Sequence, residues 1–146
     1  MQQAHQLDDN TVKNNSKFLW LGLQGSTLFL AGCLFILNNV VKLEPVMPEF
    51  KNIMIGLCII SIPATFFLIG RMRQSERDIR ENIHSGIENS HAVLQRYISW
   101  LVIGMALAEL PAIFALAMYM LTGEMMISLF FIFVSFIIGF FYKPAL

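Results

Sequence analysis

The fold class this chain predicts is an all-α membrane protein of four transmembrane helices. Three observations predict it. Hydrophobic residues make up 56% of the 146 residues and charged residues only 14%, where an ordinary soluble domain carries about 25% charged. The charges gather in four short polar stretches. Between them run apolar blocks near or above the roughly 18 residues that a bilayer crossing requires. These blocks lack the period-two alternation of barrel strands, and helices satisfy their own backbone groups where lipid cannot.

Residues 1–17 read as a polar N-terminal tail of a single membrane domain covering 1–146. No small-residue cleavage site follows the tail, so no cleaved signal peptide is expected. The first span, 18–41, carries Gly22, Gly25 and Gly32, with Gln24, Ser26 and Thr27 among them. Such small residues allow a close helix contact, within the chain or between copies. "KLEPVMPEF" holds two prolines and reads as an extended outer connection. The second span covers 53–70. Residues 71–96 are too long for a turn, and Ile79, Ile83 and Ile87 recur at helical spacing. A helical cytoplasmic extension of spans two and three is therefore expected there. The third span, 97–121, leads through the tight turn "TGEM" into the fourth, 125–142.

Lys and Arg set the expected orientation. With both termini inside, eight of the ten basic residues are cytoplasmic: Lys13, Lys17, Arg71, Arg73, Arg77, Arg80, Arg96 and Lys143. Only Lys42 and Lys51 then lie outside, as the positive-inside rule requires. Trp20, Tyr97, Trp100 and Tyr142 fall near span ends, where aromatic belts form. Arg73, Arg77 and Arg80 share a helix face suited to anionic headgroups, blunted by Glu76, Asp78 and Glu81. The expected location is a multi-pass position in a membrane of the bacterial inner type, with the lipid bilayer as first partner.

A formal net charge of zero points away from nucleic acid. Cys33 and Cys58 lie within apolar blocks and read as small buried hydrophobes. Glu81, His84, Glu88 and His91 fall on one face if their segment is helical, a spacing that metal sites use. Gly86 and two Asn interrupt that helix, so a solvated face is expected, with no metal and no cofactor. No Ser-His-Asp pattern, phosphate-cradling glycine loop or HExxH motif is present, and no enzymatic activity is expected.

The exception to this apolar pattern is Glu109, at the middle of span three. An acidic side chain there costs roughly 2.5–3.5 kcal/mol on insertion scales. Desolvation penalises its charged form, so a protonated carboxyl needing a hydrogen-bond acceptor is expected. Ser61 and Ser135 sit at the middles of spans two and four, and either hydroxyl is a candidate partner. Gly104, Ala108, Ala112 and Ala115 form a small-residue ridge for helix packing, with Glu109 on its flank. Pro63 and Pro111 each deprive a carbonyl of its helical donor and predict kinks near mid-membrane.

Residues 104–121, "GMALAELPAIFALAMYML", resemble the carboxylate helix of the ATP synthase subunit c (proteolipid) family. Gly104, Ala106, Leu107, Glu109, Ile113, Phe114, Ala115 and Leu116 match that pattern position by position. The resemblance implies that Glu109 is an ion-carrying carboxylate on a helix running outward from a polar cytoplasmic loop. Leu110 stands where sodium-type members tend to have a hydroxyl, which implies a proton as the ion. Two functions are therefore expected in competition. One is proton binding or translocation at Glu109 in a subunit-c-like manner. The other is a non-transporting accessory or assembly subunit in which Glu109 is structural. In both, a homo-oligomer or a larger membrane complex is expected.

Overall fold

A computed structural model describes the backbone of residues 2–41, 44–85 and 90–144, and their side chains except at 2–10, 12, 82–85, 90 and 91. Four helices account for nearly all of it, with no strand among the described residues: α1 (Gln2–Val40), α2 (Phe50–Ser85), α3 (Ser90–Thr122) and α4 (Met125–Phe141). The first three are long and apolar enough to cross a membrane, over Lys13–Val40, Phe50–Glu81 and Ala92–Thr122. The fourth, at 17 residues, is shorter and apolar apart from Ser128 and Ser135. At 1.5 Å per residue it reaches about 25 Å, close to the hydrocarbon thickness.

α3 and α4 form the central pair. α1 packs on both of them, α2 packs chiefly on α3, and among the described residues α1 and α2 do not pack on each other. One buried cluster joins Leu34, Cys58, Ala112, Ala115, Met118 and Phe131. A second joins Met72, Tyr97, Leu101, Met105, Ala108 and Tyr142. The outward surface is a belt of large apolar side chains from all four helices, such as Phe29, Ile60, Val102 and Phe133. That belt is the complement of lipid.

The two ends of the bundle differ. At one, Lys51 meets Glu124 at 2.6 Å. There too the Val46 and Met47 N–H groups donate to the Leu121 carbonyl, tying the first connection to the end of α3. Gly123 takes φ 71° and donates to the Tyr119 carbonyl at 2.8 Å, closing α3 in the left-handed conformation that favours glycine. Gly123→Ala is expected to lower stability by about 1–2 kcal/mol through that backbone alone, read as a lower thermal midpoint in detergent. At the other end, Arg73 donates to the carbonyls of Phe141 and Lys143, so a cation caps the C-terminus of α4.

Several expectations change here. The stretch 2–17 continues α1 as helix, anchored by Ser16, which is 1% exposed and lies beside the Tyr97 hydroxyl. Gly22, Gly25 and Gly32 have nothing within 4 Å of where a β-carbon would stand, so they make no close contact within the chain. Tyr97 and Tyr142 are fully buried instead of forming a lipid-facing belt. Their hydroxyls are held by Glu76 at 3.3 Å and by the Thr65 carbonyl at 2.6 Å, so the polar tips need no interface. Arg73 faces Glu76 and the end of α4. Of the isoleucines expected on one face, Ile79 is buried, while Ile83 and Ile87 fall outside the described side chains. So do His84, Glu88 and His91 of the spacing suggestive of a metal.

Candidate functional site

Glu109 stands 12 residues from Tyr97 and 13 from Thr122, midway along the apolar part of α3. Helical geometry aims it away from α2. Ala108, Ala112 and Ala115 turn inward and are essentially unexposed, and Gly104 lies against the Tyr142 ring. Glu109, one residue from this ridge, looks toward α1.

What it looks into is a groove between α1 and α3, open along one side, with a volume of about 800 Å³. α1 contributes Asn15, Phe18, Leu19, Gly22, Leu23 and Ser26; α3 contributes Val102, Met105, Ala106 and Glu109. Because Ser16 lies beside Tyr97, the Asn15 end is level with the Arg73–Lys143 end of the bundle. From there to Ser26 is eleven residues, about 16 Å along α1. The groove thus leads from that polar end toward the middle of the span, where the carboxyl sits.

Among the described residues the carboxyl has no internal partner. Glu109 Oε1 is buried without a hydrogen bond. Neither candidate hydroxyl is bonded to it. Ser61 donates to the Cys58 carbonyl at 2.7 Å, and Ser135 donates to the Ala108 carbonyl, pinning α4 to α3. A serine hydroxyl within a helix has backbone carbonyls three and four residues back as near acceptors, and equal depth does not guarantee equal facing. Pro63 and Pro111 lie inside continuous helices, Pro63 exposed and Pro111 buried. The Cys58 thiol reaches the Pro111 carbonyl at 3.7 Å.

A second polar constellation escaped sequence reasoning. Glu76 is 4% exposed, bonded by Arg73 at 2.7 Å and by the Tyr97 hydroxyl at 3.3 Å. It sits within a charged run that reads as a solvated face, so nothing in the local pattern marked it. Gln24 also escaped. It is 7% exposed, both its amide atoms lack partners, and it packs against Gly139. Beside it the Trp20 Nε1–H donates to the Gly139 carbonyl at 2.8 Å. Among the described residues no group of three or more His, Cys, Asp or Glu is placed to hold a metal.

Fold and site together define a helical membrane protein with, among the described residues, an acid at mid-span whose buried oxygen has no partner. The chain matches no family model, no curated protein and no solved structure.

Proposed function

We propose that this is a small multi-pass membrane protein that binds a proton at Glu109 and passes it on, in a manner resembling subunit c. The observation that carries this reading is the buried, unpartnered Oε1 at the middle of α3. A carboxyl kept for packing is expected to be bonded to a neighbouring helix, since an unmet buried polar atom costs about 1–3 kcal/mol. A carboxyl kept for ion exchange needs a free face and a route to it. The α1–α3 groove supplies both.

In this reading four helices cross a membrane of the bacterial inner type, with both termini in the cytoplasm. The asymmetry of Lys and Arg supports that orientation. The Asn15 end of the groove then lies toward the cytoplasmic side. Gly22, Gly25 and Gly32, clear on the surface of α1, suit contact with a second copy or a larger complex. The role as a non-transporting accessory subunit gains no bond from Glu109 to support it.

Dicyclohexylcarbodiimide, which attacks protonated carboxyls in membranes, tests the proposal. The expected result is labelling of Glu109 in the wild type and none in Glu109→Gln, with proton flux in vesicles lost in the variant. Absent labelling together with unchanged flux in Glu109→Gln would sink the ion reading.

A further inference from the structure

We propose that the α1–α3 groove is a binding site for a lipophilic organic cation, an ammonium or phosphonium, that pairs with Glu109 and displaces its proton. The inference rests on the reading of Glu109 as a titrating site and names what else that site takes.

The chemistry of the walls selects the ligand. Among the described residues Glu109 is the sole ionisable side chain lining the groove. It has a buried oxygen with its hydrogen-bonding capacity unspent. The remaining wall is apolar or neutral: Phe18, Leu23, Val102 and Met105 beside Asn15 and Ser26. An anion meets no positive group there. A metal ion finds one carboxylate where it needs several hard donors. A neutral apolar molecule leaves the carboxyl unpaired. A cation with a large apolar body satisfies the carboxylate and covers the wall. The volume of about 800 Å³ admits such a body, since ligand pockets run to roughly 300–1,000 Å³. Its exposed lining residues Phe18, Leu19 and Val102 belong to the apolar outer surface, where lipophilic cations concentrate.

The exchange balances simply. The protonated carboxyl gives up one proton to solvent as one cation binds the carboxylate, so binding strengthens as pH rises. Among the described residues no second charged side chain lines the groove. α1 presents Asn15 and Ser26 to the groove, and α4 has no titratable side chain from Met125 to Phe141. On α2 the Cys58 thiol is engaged with the Pro111 carbonyl.

The test uses the purified full chain in detergent, with tetraphenylphosphonium as probe and tetraphenylborate as the anion of the same shape. Saturable binding of the cation is expected, with one proton released per cation in weakly buffered solution. Glu109→Gln is expected to weaken it by about tenfold or more, while Glu109→Asp retains it. Ala106→Phe, which fills the groove and leaves the carboxyl, is expected to weaken it comparably. Equal binding of tetraphenylborate, or full binding by Glu109→Gln, overturns the proposal. So does a cross-linked dimer whose Glu109 is shielded from carbodiimide, because a second copy then fills the groove. If Glu109 labels but no cation binds, this inference fails and the proton reading stands. If it neither labels nor binds the cation, both fail.

Discussion

Replacing Glu109 with leucine is expected to stabilise the folded protein by about 1–3 kcal/mol while removing carbodiimide reactivity. The wild-type carboxyl carries the cost of a buried oxygen with no partner, about 1–3 kcal/mol. Leucine removes that cost and places apolar surface against Leu23 across the groove and beside Met105 one turn back on α3. A residue kept for function at the expense of stability behaves this way on replacement. An acid acting as interhelical glue gives the opposite sign, a loss of about 1 kcal/mol. The sign of the change in thermal midpoint in detergent therefore separates the two uses of Glu109. A clear destabilisation in Glu109→Leu would count against both the proton and the cation readings.

Gly104→Ala is expected to cost about 1–3 kcal/mol. A β-carbon at Gly104 would overlap the Tyr142 ring at Cε1 and stand 2.8 and 2.9 Å from Cζ and Oη. The ring cannot retreat cheaply. It is fully buried, and its hydroxyl donates to the Thr65 carbonyl at 2.6 Å. Tyr142 thus reaches from the end of α4 across α3 to α2, and Gly104 is the gap through which it passes. Gly139 offers a contrast. A β-carbon there meets the amide of Gln24, the end of a flexible side chain with no bond to lose, so Gly139→Ala should cost less. The clash at Gly104 has its own signature. Gly104→Ala combined with Tyr142→Ala should be less destabilising than the sum of the single changes, because the second removes what the first collides with. Strict additivity in a detergent unfolding series would show that the ring does not occupy that gap.

These residues also show how far the sequence reaches. The number and type of helices follow from the spacing of apolar blocks and charges, because hydrophobic length is a local property that lipid reads directly. The mid-span position of Glu109 follows by counting, and so does its place beside the ridge of Gly104, Ala108, Ala112 and Ala115. Partners do not follow by counting. Ser61 and Ser135 share the depth of Glu109, yet each spends its proton on a backbone carbonyl. The glycines of α1 resemble a packing motif, but the bundle uses Gly104 and Gly139, where Tyr142 and Gln24 press close. Glu76 looks like one charge in a solvated run, and only the approach of Tyr97 and the turn of Arg73 toward it make it a buried acid with partners. The sequence by itself determined a helical membrane protein with an acid at the centre of its third long helix. The tertiary structure alone decided that this acid faces α1 across an open groove with no bonded neighbour. Helix rotation and the choice of packing neighbours depend on contacts between segments far apart in the chain, which no local periodicity encodes.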